Sequence, residues 1–150
     1  MKAILQRCKS ASVIADQKPS GKAGKGFMIL LGVLKGDEKQ DADLLAEKIS
    51  KLRVFDDEYG KLNLSLKDVG GEVLVISNFT LGADYRKGNR PDYMNSEAPA
   101  RANELYEYFV ESMRGRGIHT ETGIFGADMQ ITLEADGPVT IDMDSKVLKK

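Results

Sequence analysis

The sequence has 150 residues, 41% of them hydrophobic and 30% charged, and a formal net charge of −1. Its length suits one globular domain over residues 1–150, with a core that needs neither disulfides nor a structural metal. The longest apolar run, Phe27 to Leu31, is far too short to span a bilayer, and the charge lacks the positive excess of a protein that grips nucleic acid mainly by its phosphates.

In chain order, Lys2 to Arg7 and Ser10 to Ala15 read as two strands joined by a hairpin or bulged turn. Asp16 to Gly24, with Pro19 and Gly21, reads as a turn region. Gly26 to Leu34 is apolar and rich in β-formers, as a buried strand is. Asp41 to Leu52 predicts a helix, because Leu45, Ile49 and Leu52 share one face and the acidic start and basic end suit the helix dipole. Val54 and Phe55 begin a short strand, and Asp56 to Gly60 is a turn. Gly70-Gly71 precedes a further strand, Glu72 to Ser77. Residues 82 to 98 form a long irregular segment, a length that in a compact domain accompanies function or ordering by a partner. Pro99 to Met113 predicts a second helix, with Pro99 in its first turn and a stripe of Leu105, Phe109 and Met113. Ala127 to Glu134 and Val139 to Asp142 read as strands around a turn at Ala135-Asp136-Gly137-Pro138. This order predicts an α/β fold of mixed, largely antiparallel sheets with two main helices packed on them.

The usual catalytic constellations are missing. His119 is the only histidine, so no nucleophile–base–orienter triad is built around it, and it reads as a surface or capping residue. No His/Cys cluster suggests a zinc site. Cys8, the only cysteine, cannot form an internal disulfide and reads as a buried, inert thiol of a reducing compartment. Met1 to Leu5 lacks the length and shape of a signal peptide, so a cytoplasmic location is expected. Three basic groups stand out: Arg86, Lys87 and Arg90; Arg114 and Arg116; Lys146, Lys149 and Lys150. Each reads as a solvated face unless the fold brings them together. Hydroxyls and backbone remain, with Ser77 and Thr80 at a strand end and Gly137-Pro138 ahead of Thr140. Rigid backbone groups can read a small polar ligand or stabilise an oxyanion.

Short segments across the chain carry a resemblance. Ile4-Leu5-Gln6-Arg7, Leu52-Arg53-Val54-Phe55, Lys87-Gly88-Asn89-Arg90-Pro91 and Thr122-Gly123-Ile124-Phe125-Gly126-Ala127 occur in the order seen in the D-aminoacyl-tRNA deacylases, formerly D-tyrosyl-tRNA deacylases. Ser77-Asn78-Phe79-Thr80 resembles that family's Ser-Gln-Phe-Thr, with Asn78 in place of glutamine. Ala135-Asp136-Gly137-Pro138-Val139-Thr140 resembles its Asn-x-Gly-Pro-x-Thr, with Ala135 in place of asparagine.

The resemblance implies hydrolysis of the ester of D-aminoacyl-tRNA, and of glycyl-tRNA(Ala), with aminoacylated tRNA as partner. It also implies a homodimer with shared active sites, no membrane, no cofactor and no metal. Carried over residue by residue, Ser77, Asn78, Phe79 and Thr80 form the catalytic segment. Gly137 and Pro138, joined by a cis bond, form a chiral filter that reaches into the partner subunit. Arg7 and Thr140 support that element, and Phe125, Gly126, Ala127 and Met129 receive the terminal adenosine. The family's chemistry leans on the 2′-hydroxyl of the terminal ribose; Thr80 as nucleophile has no evident base. Two alternatives stay open: an inactive relative that binds aminoacylated RNA ends, and a deacylase for a different misacylated tRNA.

Overall fold

A computed structural model of the protein describes residues 1–149. One mixed sheet organises it. Strand β1 (Lys2–Ala15) is the hub. Along one edge it pairs antiparallel with β3 (Gly26–Gly32) over residues 2–8 and with β2 (Lys18–Ala23) over residues 11–15. It also pairs antiparallel along its length with β8 (Met129–Asp144). Beyond β3 the sheet turns parallel, through β6 (Glu72–Ser77) and β7 (Thr120–Thr122). The sheet then curls until β2 approaches β7. Ser20 Oγ donates to the Thr122 carbonyl at 3.0 Å and the Lys22 N–H to Glu121 at 3.0 Å. A Cβ on Gly21 would lie 2.4 Å from that same Thr122 carbonyl oxygen, so only glycine lets the two backbones come this close. The barrel is nearly closed.

Between these strands lie helix α1 (Lys39–Lys51), the small β4 (Phe55–Asp56) and β5 (Leu62–Leu64) pair, the single turn α2 (Leu66–Val69), a 3-10 turn at Phe79–Gly82 and helix α3 (Pro99–Gly115); α4 (Ser145–Leu148) follows β8. The alternation of side chains along a strand divides the apolar residues between two cores. Phe27, Ile29, Leu31, Val73 and Val75 point outward and are covered by Leu45 and Ile49 of α1 and Leu105, Phe109 and Met113 of α3. Met28, Leu74 and Ile76 point inward with Cys8 and Val13 and fill the barrel. This double burial is why β3 and β6 read as continuous apolar runs. The α1 start is fixed by Asp41, whose carboxylate accepts the Glu38 N–H at 2.8 Å. The same fully buried carboxylate meets Lys149 at 2.8 Å and Ser145 Oγ at 2.6 Å. Burial alone would raise its pKa, but these partners and the nearby Met1 amino group hold it at about 2.

Three sequence expectations are corrected. Of the hairpin or bulged turn expected between residues 2–7 and 10–15, there is no chain reversal: the segment is one strand whose pairing with β8 is irregular around Cys8, and the bulge there flips the inward–outward alternation that made the segment look like two strands. The expected turn region 16–24 is a tight turn at Asp16-Gln17, both at positive φ, followed by β2. The expected turn at 135–138 does not reverse the chain: β8 is continuous, with a bulge in which Asp136 to Val139 face the single residue Arg7. The α1, α3, β3, β4 and β6 elements match the expected positions within a few residues.

Candidate active site

Parallel strands β3 and β6 end side by side, with Leu31 opposite Ser77. A cleft of about 640 Å³ opens beyond them. One wall is Ser77, Asn78 and Phe79; a second is Tyr93 and Ser96 to Ala98, leading into α3; the third is Phe125, Gly126, Ala127 and Met129. The fold thus joins the expected catalytic segment to the expected adenosine-binding segment, although they are distant in sequence. Thr80 follows on the exposed rim.

The catalytic segment is held by local bonds. The Asn78 N–H continues the sheet by donating to the Leu31 carbonyl at 2.8 Å. A Cβ at Gly32 would stand 2.8 Å from Leu81 Cβ and 3.1 Å from the Asn78 carbonyl oxygen, so this glycine lets the 3-10 turn rest on β3. The Asn78 side chain caps that turn: its Oδ1 accepts the Thr80 N–H at 3.1 Å and also the Thr80 hydroxyl. Sequence reasoning missed this role, because the cap exists only once the 3-10 turn does. Ser96 Oγ donates to the Phe79 carbonyl at 2.8 Å, and the Phe79 and Tyr93 rings meet edge to face at 4.9 Å. Phe79 nevertheless remains 58% exposed, an aromatic surface turned to the cleft mouth. Beneath Phe125, Tyr106 donates its hydroxyl to the Val75 carbonyl at 2.9 Å, and burial pushes its pKa up to about 12. It is a fixed structural donor, not an acid or base of neutral solution.

Gly137, Pro138, Arg7 and Thr140 do not line this cleft. They cluster at the β8 bulge, where the Gly137-Pro138 peptide bond is cis. Arg7 is almost fully buried beneath it. Its Nε donates to the Asp136 carbonyl at 2.9 Å and lies 3.4 Å from the Asp136 carboxylate, while Nη1 donates to the Val54 carbonyl at 2.8 Å. Thr140 Oγ1 donates to Gln6 Oε1 at 2.7 Å. Asp136 therefore supplies an anchor to the bulge beside Ala135. His119 is exposed and pairs with Glu121 at 2.7 Å, and Cys8 is fully buried, with burial pushing its thiol pKa up.

Residues 4–144 match the family model described as D-Tyr-tRNA(Tyr) deacylase. The chain belongs to the D-aminoacyl-tRNA deacylase family. That family comprises tRNA-binding ester hydrolases that proofread aminoacylated tRNA. Among relatives, the D-aminoacyl-tRNA deacylase of Fervidobacterium nodosum is 54% identical over 97% of this chain and 98% of its own, and that of Thermosipho africanus 52% identical over the same shares. Of solved structures, one described as c-Myc DNA Unwinding Element Binding Protein superposes with a TM-score of 0.89 at 37% identity, covering 96% of this chain and 98% of that one. A second, a probable eukaryotic D-amino acid tRNA deacylase, shares the deacylase fold at a TM-score of 0.82 and 16% identity, covering 95% and 98%.

Proposed function

We propose that the protein hydrolyses the ester of D-aminoacyl-tRNA as a homodimer, each cleft being completed by the Gly137-Pro138 bulge of the other subunit. The observation that carries this reading is the separation of two site elements along one strand. Met129, at the start of β8, lines the cleft, whereas Gly137 and Pro138 stand further along the same strand. At about 3.3 Å per residue that is roughly 26–30 Å, too far to reach the subunit's own cleft. β8 also pairs only with β1, and none of its residues is fully buried. A long, exposed edge of this kind is normally covered, and a second copy covers it while delivering the bulge.

Within the cleft, the terminal adenosine packs against Phe125, Gly126, Ala127 and Met129, and the ester lies over Ser77 to Thr80. Water adds to the ester carbonyl, the bond to the ribose 3′-oxygen breaks, and that oxygen takes a proton; the products are the free amino acid and tRNA. The Thr80 hydroxyl and N–H are both turned to Asn78, and no acid or base side chain touches that hydroxyl among the described residues. This favours assistance by the ribose 2′-hydroxyl over nucleophilic attack by Thr80. The Phe79 N–H, at the first position of the 3-10 turn, has no helical partner and is the donor best placed for the oxyanion. A backbone filter at Gly137-Pro138 admits a D-side chain or none, so glycyl-tRNA(Ala) is cleaved too, and L-esters are spared.

The test is hydrolysis of matched D-tyrosyl-, L-tyrosyl- and glycyl-tRNA by the purified protein. Loss of the D and glycyl esters with the L ester spared is expected. Tight binding of D-aminoacyl adenosine without turnover would instead identify a binding-only relative.

A further inference from the structure

We propose that the loop between Asp84 and Asp92 is the docking element for the tRNA acceptor stem, with Arg90 and Lys87 contacting its phosphates; this rests on the substrate class proposed above. Of the basic residues singled out in the sequence, Lys149 and every arginine but Arg90 are engaged by the fold. Arg114 donates to the Thr120 carbonyl at 3.1 and 2.9 Å and pairs with Glu111 at 2.7 Å. Arg116 pairs with Glu47 at 2.9 Å, Lys149 with Asp41 at 2.8 Å, and Arg86 with Asp84 at 2.7 Å. Arg7, Arg53 and Arg101 are likewise engaged. Among the described residues Arg90 is the one arginine with neither a hydrogen bond nor an ion pair within the protein, and Lys87, beside it in the loop, has no ion-pair partner either. A planar guanidinium left unpaired on a surface is suited to the two oxygens of a phosphate.

The loop is placed and shaped for that contact. Its neck is closed by paired backbone bonds between Asp84 and Asp92, at 2.8 and 2.9 Å. Immediately after the neck, Tyr93 packs on Phe79 and lines the cleft. Arg90 is therefore tethered within about 11 Å of the cleft wall along the chain. Pro91 restricts Arg90 to extended backbone, and Gly88 turns the tip at a φ of 66°. Every residue from Tyr85 to Pro91 is exposed. A short, anchored loop with two unneutralised cations at the mouth of an ester-binding cleft meets the polyanion that follows the terminal adenosine. The net charge of −1 does not oppose this, because phosphate contacts act locally within about a Debye length.

The experiment compares the full-length protein with the Lys87→Ala/Arg90→Ala double variant on two substrates, D-tyrosyl-tRNA and D-tyrosyl-adenosine, which carries no phosphate. A Lys48→Ala/Lys67→Ala variant, equal in charge and placed on α1 and α2 outside the cleft lining, is the control. The expected result is a fall of about tenfold in kcat/KM on the tRNA and a salt slope of log affinity shallower by about 1.5. Turnover of D-tyrosyl-adenosine stays within about twofold. An equal loss on both substrates, unchanged tRNA kinetics, or the same loss in the control variant would overturn the proposal. Equilibrium binding of uncharged tRNA, with the same salt series, reads the loop independently of catalysis; if the unmodified protein cleaves neither ester, the function proposal fails while this slope still decides the docking element.

Discussion

Arg7 and Asp136 meet where β8 swings away from β1: the buried guanidinium donates from Nε to the Asp136 carbonyl at 2.9 Å and, from Nη1, to the Val54 carbonyl at 2.8 Å. One side chain thus ties the bulge to the loop after α1. Replacing it with alanine leaves two carbonyls short of a donor and the Asp136 carboxylate without its partner. A cost of roughly 2–4 kcal/mol is expected, or a fall in Tm of about 4–16 °C for a chain of this size. Arg7→Lys should recover little, because an ammonium does not reproduce two donors in a fixed fork. Thermal unfolding of the two variants checks this.

The cap at Asn78 makes a second expectation. Asn78→Ala removes the acceptor of the Thr80 N–H and hydroxyl, and should cost about 1 kcal/mol and slow D-ester hydrolysis roughly tenfold. Thr80→Val retains the N–H bond to Asn78 and should keep hydrolysis within about threefold. Single-turnover rates on D-tyrosyl-tRNA separate the cases; a loss of a thousandfold or more in Thr80→Val would restore threonine as the nucleophile.

A third concerns Gly137. A Cβ there would sit 2.1 Å from the Val139 nitrogen, a contact with backbone that no side-chain rotation relieves. Gly137→Ala must therefore displace the bulge. Since neither apolar core includes this residue, Tm should change by only a few degrees. The ratio of L- to D-tyrosyl-tRNA hydrolysis should rise, or D-ester turnover should drop about a hundredfold. Unchanged rate and selectivity would remove Gly137 from the site.

Asp41 sets an acid limit on stability. Its folded pKa of about 2 lies below the ordinary 3.8, so its contribution is fully present above about pH 4 and is lost as the pH falls through 2. The linkage amounts to something on the order of 2 kcal/mol. Asp41→Asn should lower Tm at pH 7 by about 4–8 °C, and the gap should shrink as the pH approaches 2. A gap that stays constant with pH would contradict it.

The sequence made legible what lies in regular, buried elements. Leu45 and Ile49 reported α1, and Leu105, Phe109 and Met113 reported α3, because each stripe faces one core. Val73 to Ile76 reported β6 because both faces of that strand are buried. What hid was irregular. Cys8-Lys9-Ser10 broke the alternation of β1, and Gly137-Pro138 imitated a turn inside β8. Pro19 and Gly21 disguised β2, whose glycine is needed for contact with β7. At the site, the order of the segments was readable through family resemblance, whereas the Asn78 cap and the unpaired state of Arg90 depend on which partners the fold brings near.

The continuity of β8 makes it a measuring rod. Because Met129 and the Gly137 bulge belong to one uninterrupted strand, paired with β1 from Met129 to Ala135 with one shift in register between Cys8 and Ser10, the span between cleft wall and bulge is set by a residue count. Two residues inserted between Gln130 and Glu134 would preserve which side chains face outward and yet lengthen the rod by roughly 7 Å. Substitutions at the surface are open to drift; the length of this segment is not.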